Sequence, residues 1–178
     1  MTRLDTPQFQ ALFDAAQQSV FRLEGRQTYA IAADDDELVA FRTGAPRPER
    51  SVRTSPWLAR IAVSTVTRGV SWSRVRVIAY PLTEYTRYEL VTYVESQAAG
   101  EQILITEEPA PVDDFWLFDA GTEHAVGVWM RYDEDGTQLG RERVDDPAVL
   151  AEMATIAERV SAGAIPLNTW LAGANARA

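Results

Sequence analysis

The chain has 178 residues, 46% of them apolar and 24% charged, the proportions of an ordinary globular domain. It has no Cys and one His, and all 17 of its basic side chains are Arg. Together these absences exclude disulfides, thiol nucleophiles, CxxC redox sites, Schiff-base and P-loop lysines, and a two-His metal site within one chain.

The net charge of −9 is unevenly spread. Residues 1–87 hold 12 Arg against 9 acids, and residues 88–178 hold 5 Arg against 17 acids. Residues 42–76 carry eight Arg and one acid, Glu49. Such asymmetry marks either a surface for an acidic partner or a basic half that pairs with the acidic half, and solvated faces are the commoner case. No run approaches the roughly 20 apolar residues of a membrane span. The first 13 residues lack the apolar stretch of a signal peptide. A cytoplasmic location is the expectation.

In chain order, Thr6-Pro7 predicts an N-cap and first helical position, and Phe9, Leu12, Phe13 and Ala16 continue a helix over 6–18. Residues 20–24 and 28–32 predict short strands, the acids at 34–36 a turn, and 38–42 its return strand. Residues 44–54, with Pro46 and Pro48, predict a loop. In and beside it Arg42, Arg47, Arg50 and Arg53 are candidates for a partner surface. Ser55-Pro56 caps a helix that Gly69 stops. Residues 74–80 form the clearest strand. Thr83 caps a long helix to about 99, with Tyr88, Val91, Val94 and Ala98 as its expected buried stripe. Strands follow at 103–106, 115–119, 126–133 and 138–144, the last two joined by the hairpin signal Asp135-Gly136. Asp146-Pro147 opens a final helix, and 166–178 trail away.

This order predicts an α/β fold, a mixed sheet flanked by helices with a small N-terminal helix and β-hairpin unit. The strands around the long helix are expected to be parallel. Residues 1–54 form the N-terminal helix, β-hairpin and Arg/Pro loop and 55–178 the α/β sandwich, the two expected to make one compact domain overall.

Two groups of residues are candidate ligand sites. Arg76, Tyr80, Tyr85, Arg87 and Glu89 gather at the end of the 74–80 strand and the start of the next helix, where open α/β sheets bind ligands. The tyrosines could stack on a planar group and the arginines could hold an anion. The competing reading is a packed tyrosine with surface charges. Asp114 and Asp119 lie at the two ends of one aromatic strand. A buried Arg–Asp pair, with Arg76 or Arg131 as partner, is favoured there over a catalytic carboxylate pair. His124 reads as an exposed turn residue, the acids at 34–37 as a solvated tip, and 131–142 as a hairpin because Arg131 occupies the first position of a would-be calcium loop. No catalytic residue, metal site or cofactor is expected.

The strings FRLE at 21–24, TRGVSWSRVRVIAYPLTEYTRYEL at 67–90, AAGE at 98–101, DDFWLFD at 113–119 and WMRYDEDG at 129–136 resemble an uncharacterised actinobacterial family of the DUF6879 type. That resemblance implies a gene lying beside helix-turn-helix regulators, and assigns no reaction. The element order also resembles one half of the phospholipase D fold. In that fold's His-x-Lys-x4-Asp pattern the only register here places Val112 at the His, Asp114 at the Lys and Asp119 at the Asp. The resemblance therefore implies a half without its catalytic motif.

Three functions follow as expectations. The first is a non-enzymatic regulatory or protein-interaction module beside a DNA-binding regulator, with a helix-turn-helix protein as partner, a homodimer open, and no tight nucleic-acid or membrane binding. The second is a sensor of a phosphate- or nucleotide-type ligand. The third is a carboxylate or metal enzyme using Asp114, Asp119 and Glu89.

Overall fold

A computed structural model describes residues 2–30 and 35–175. Its elements are β1 (Thr2–Arg3), α1 (Thr6–Ala15), β2 (Ser19–Glu24), α2 (Asp35–Thr43), α3 (Pro56–Arg68), β3 (Ser71–Val77), α4 (Glu84–Ala98), β4 (Glu101–Thr106), β5 (Phe115–Phe118), β6 (Val126–Tyr132), β7 (Gln138–Val144), α5 (Pro147–Ala162), β8 (Ile165–Pro166) and α6 (Leu167–Asn175). They build an α/β fold on one mixed sheet of eight strands, in the order β1-β7-β6-β5-β2-β3-β4-β8. As expected, β3 and β4 are parallel, and β2 joins them as a third parallel strand. On the other side of β2 the sheet turns antiparallel through β5, β6 and β7.

Strand alternation gives the two faces different partners. Val20, Trp72, Trp116, Phe118 and Val128 meet Phe9 and Phe13 of α1 and Leu58 and Ile61 of α3. Phe21, Leu23, Val75, Phe115 and Leu117 meet Met153, Ile156 and Ala157 of α5 on the opposite face. Ser55, Thr83 and Asp146 cap α3, α4 and α5 as their side chains dictate, each accepting a backbone N–H of the first turn. At α1 the cap is Asp5 rather than Thr6, in a capping box with Gln8.

Four expectations are corrected. The return strand at 38–42 is instead part of α2, so no N-terminal hairpin unit forms. Phe41 packs on the Tyr88 ring 5.8 Å away, and the Tyr88 hydroxyl donates to Glu37 over 2.8 Å. Those contacts, with Leu38 and Phe41 at helical spacing, override the β-rich look of Leu-Val-Ala-Phe. The strand expected at 28–32 is a single parallel bridge from Ala30 to Thr137; residues 31 and 32, like Asp34 of the expected turn, lie outside the described residues. The tail from 166 does not trail away. Leu167 and Trp170 of α6 are buried against Ile103 and Ile105 of β4. Finally, α4 turns its valines outward: Val91 is 39% and Val94 46% exposed.

Candidate functional site

The reason for that inversion lies in the sheet. The parallel register sets Arg22 beside Arg74 and Glu24 beside Arg76 on one face. Alternation within β2 and β3 aims all four at the same side, where α4 covers them. The buried face of α4 is correspondingly polar, with Tyr85, Thr86, Tyr88, Glu89, Thr92, Tyr93 and Ser96. A helix laid over charged side chains must offer them polar partners, because an unpaired buried charge is very costly.

The pairing is dense. Glu24 accepts from Arg74 over 2.7 Å, from the Tyr93 hydroxyl over 2.6 Å and from Arg22 over 3.3 Å. Arg74 also donates to Glu101 over 2.9 Å. Arg22 donates to Asp114 over 2.9 Å, and Asp114 accepts further from the Gly25 N–H over 2.8 Å and from the Tyr29 hydroxyl. Arg76 is 0% exposed. Its Nη2 lies 2.7 Å from Glu89 Oε2 without the alignment of a hydrogen bond, while its Nη1 donates to the Arg26 carbonyl. The guanidinium groups of Arg22 and Arg74 also stack over Trp116 at 5.3 and 5.7 Å.

Four carboxylates, Glu24, Glu89, Glu101 and Asp114, thus face three guanidinium groups in this interior. Burial resists ionisation of Glu24, but Arg74, Arg22 and Arg76 surround it and hold its carboxyl well below the usual range. Glu89 has Arg76 against it, with Arg74 and the Tyr85 hydroxyl also favouring its charged form, but it feels the charge of Glu24 as well. Burial pushes its carboxyl up to about 7. The surplus acid is therefore the one on α4, and it is half protonated near neutral pH. Burial likewise raises Glu101, Tyr29 and Tyr93.

Beside this layer, a cleft of about 420 Å³ opens at the carboxyl ends of β2 and β3. This is the edge at which open α/β sheets receive ligands. Its walls are Gly25, Arg26 and Gln27 after β2, residues 77–79 at the end of β3, the loop following β4 through Asp113 and Asp114, and Met130 and Tyr132 of β6. Gln27 stitches the two strand ends together: its Nε2 donates to the Gly25 and Val77 carbonyls over 3.2 and 3.0 Å, and its Oε1 accepts the Ala79 N–H over 2.8 Å. Gly25 is required for closure, since a Cβ there would sit 2.8 Å from the Ala110 Cβ. Arg26 is turned away, donating to the carbonyls of Asp133 and Glu134 over 2.6 and 2.9 Å.

The structure separates the residues singled out from sequence. Arg76, Tyr85 and Glu89 come together, sealed beneath α4. Asp114 forms the cleft floor, joined to them through Tyr29, Arg22 and Glu24. Tyr80 is 58% exposed and lines a different groove, with Leu82, Ile165 and Trp170. Arg87 lies on the outside of α4 and donates to the Leu82 carbonyl over 2.9 Å. Asp119 lies at the far end of β5 with φ +49°, where its carboxylate accepts the N–H groups of Gln17, Gln18 and Ser19 at 2.7–3.0 Å. It joins α1 to β2. The buried Arg–Asp pair exists, but Arg22 is the partner of Asp114. Arg131 instead pairs with Asp113 and Glu142 over 2.6 and 2.8 Å.

Three of the four partner-surface arginines are tied down within the chain: Arg42 to Glu84 at 2.5 Å, Arg47 to Glu95 at 3.2 Å, and Arg50 to Glu37 and Glu95 at 3.2 and 3.3 Å. Among the described residues no ion pair reaches Arg53. Sequence reasoning missed Arg22, Glu24, Arg74 and Glu101. The signal was available: Arg-x-Glu in β2 and Arg-x-Arg in β3 each place two charges on one face of a strand.

Among the described residues no helix is long and apolar enough to cross a membrane, and no group of three His, Asp or Glu is placed to hold a metal ion. No curated protein matches the chain. One solved structure that aligns is TrmBL2, an archaeal chromatin protein described as showing a novel mode of DNA binding. The alignment has a TM-score of 0.45 and 10% identity, and it covers 90% of this chain and 50% of that one, so the chain spans about half its length. A family profile for a domain of unknown function matches residues 7–172, nearly the whole folded chain, and the protein belongs to that family, DUF6879.

Proposed function

We propose that the chain is a non-enzymatic regulatory module that acts by binding, beside a DNA-binding transcriptional regulator, with the strand-end cleft as the place where a small ligand enters. The observation that carries this reading is the commitment of the cleft's floor. Asp114 already accepts from Arg22, Gly25 and Tyr29, so its carboxylate is neither a free base nor a free nucleophile. Glu89, which the catalytic reading needs, and Arg76, which the anion-binding reading needs, are closed off beneath α4. Asp114 and Asp119 sit at opposite ends of β5 and cannot act on one substrate atom. His124, the only imidazole, lies in the exposed turn between β5 and β6. What remains is a shaped, partly apolar recess with fixed polar edges, suited to recognition.

The charge of the walls favours a neutral or cationic ligand over a phosphate. Glu107, Asp113 and Asp114 line the recess; Arg22 and Arg131 pair with Asp114 and Asp113, and Arg26 is engaged by carbonyls, so no free cation faces the opening to hold a phosphate. The same charges oppose the phosphodiester chemistry of a phospholipase D-like half, in which a cation would stand where Asp114 does.

The test has two arms on the purified chain. Bis(p-nitrophenyl) phosphate and phosphatidylcholine should show no turnover above buffer; turnover that disappears in His124→Ala overturns the non-enzymatic reading. A thermal-shift panel of sugars, amines and nucleotides should raise the melting temperature with at least one neutral or cationic member. That rise should vanish in Ala110→Phe, which fills the recess. No shift across the panel, or one that persists in Ala110→Phe, removes the cleft from the proposal.

A further inference from the structure

The turn after β2 is held from beneath at two carbonyls, and only one of the two holds is charged. Thr83 and Thr86, at the start of α4, donate to the Gln27 carbonyl over 2.7 and 3.0 Å. Arg76 donates from Nη1 to the Arg26 carbonyl, and the Val77 and Glu24 carbonyls lie 3.3 and 3.5 Å from the same nitrogen. Gly25, Arg26, Gln27 and Val77 all belong to the wall of the cleft. One buried guanidinium therefore stands between that wall and Glu89 on α4.

Its hydrogen bonding is incomplete. Arg76 Nε and Nη2 and Glu89 Oε2 are buried without a hydrogen-bond partner among the described residues. A buried polar group left unpaired is costly, so the guanidinium gains by turning towards whichever acceptor is stronger. An ionised carboxylate is a stronger acceptor for a cation than a carbonyl, and a protonated one is a weaker.

Which of the two Glu89 is depends on pH. Burial pushes its carboxyl up to about 7, against the pull of Arg76 and Arg74 on β3 and of the Tyr85 hydroxyl, while the charge of Glu24 on β2 adds to the rise. The other acids of the layer have donors elsewhere. Tyr93 and Arg74 hold Glu24, Arg74 holds Glu101 of β4, Arg22 holds Asp114, and the Tyr88 hydroxyl holds Glu37 of α2. Only Glu89 is ion-paired with the cation that also holds the wall.

We propose that Glu89 is a proton switch for the cleft. With its proton in place, Arg76 bonds the Arg26 carbonyl and draws the wall in. When the proton leaves, the guanidinium aligns on the carboxylate and the wall is released. The switch acts on the cleft in its role as ligand site, the reading on which it rests. By reciprocity, a ligand that fits one arrangement of the wall also shifts the proton.

The test follows the wall with no ligand present. Carbon and nitrogen resonances of the full, isotope-labelled chain are recorded by NMR from about pH 5.5 to 8.5. The Arg26 carbonyl carbon and the Gln27 amide nitrogen are expected to shift together with the Glu89 carboxyl carbon, with a common midpoint of about 7. Those wall shifts are expected to vanish in Glu89→Gln. In Tyr85→Phe, which takes a donor from the carboxylate, the common midpoint is expected to rise. The N–H groups of Gln17, Gln18 and Ser19, held by Asp119 at the opposite edge of the sheet, should not follow it. Wall resonances that stay flat while Glu89 titrates overturn the proposal. So does a Glu89 carboxyl that does not titrate in this range, or a wall shift that persists in Glu89→Gln. Each of these leaves the cleft itself to the ligand panel and Ala110→Phe, so the two failures are told apart.

Discussion

Stability is expected to fall between about pH 4.5 and 7, and replacing Glu89 by Gln should remove most of that fall. In the unfolded chain this carboxyl titrates at its ordinary value of 4.5, and in the folded protein burial pushes it up to about 7. Below pH 4.5 it is protonated in both states and costs nothing. As the pH rises, the unfolded chain releases the proton first, so folding comes to require its retention, and stability falls until the folded carboxyl also ionises. At 1.36 kcal/mol per decade of separation, the span from 4.5 to about 7 amounts to about 3 kcal/mol. Glutamine mimics the protonated acid at every pH. The variant should match the parent near pH 4.5 and exceed its stability by up to about 3 kcal/mol at pH 8. Glu24 contributes in another window and with the opposite sign: Arg74, Arg22 and Arg76 hold its carboxyl low, so its stabilisation is lost only as the pH falls below 4.5. Glu101 is raised as well, by burial, and leaves a smaller residual slope in the variant. Urea unfolding at half-unit pH steps measures both proteins. Parallel stability curves from pH 5 to 8 would show that Glu89 is not the surplus acid of the interior, and would refute the charge count.

Three stability predictions and one binding prediction follow from the same geometry. Arg22→Ala strands Asp114 and weakens the hold on Glu24, and should cost about 3 to 5 kcal/mol in urea unfolding, as removal of one partner from a buried pair does. Asp119→Ala takes the acceptor from three backbone N–H groups and puts Ala, which tolerates the left-handed region less well than Asp or Asn, at φ +49°; a loss of about 2 kcal/mol or more is expected, with Asp119→Asn losing less. Gly136→Ala should lower stability by more than about 1 kcal/mol, because φ is +86° and the new Cβ would lie 2.6 Å from the Thr28 carbonyl oxygen. In a gel shift with duplex DNA no sub-micromolar, salt-sensitive complex should form, since Arg42, Arg47 and Arg50 already hold carboxylates of the same chain. A tight complex would show that those pairs open for phosphate.

What could be read from sequence was local. Ser55, Thr83 and Asp146 cap helices because a side-chain oxygen next to free N–H groups acts within one turn, whatever surrounds it. Gly69 ends α3 in the left-handed region for the same local reason. The hairpin at Asp135-Gly136, the parallel β3–β4 pair around α4 and the mixed sheet came from spacing and order alone. The inventory of side chains by itself excludes thiol, lysine and paired-histidine chemistry within one chain.

The tertiary structure decided everything that depends on which strands are neighbours. Arg22 and Arg74 sit in different parts of the chain, and only the β2–β3 register turns two short Arg-bearing strings into a charged layer. That layer then dictates the polarity of α4, which reverses the stripe expected from its valines. Helical periodicity assumes that the interior is apolar, and here the interior that α4 meets is ionic. Asp114 and Asp119 were legible as acids in need of partners, but their partners are 92 and about 100 residues away in sequence. In the same way Phe41 and Glu37 make α2 a helix by meeting Tyr88. A residue's own neighbours state its propensity, while the choice among its possible partners belongs to the fold, because burial makes an unpaired charge too costly to leave in place.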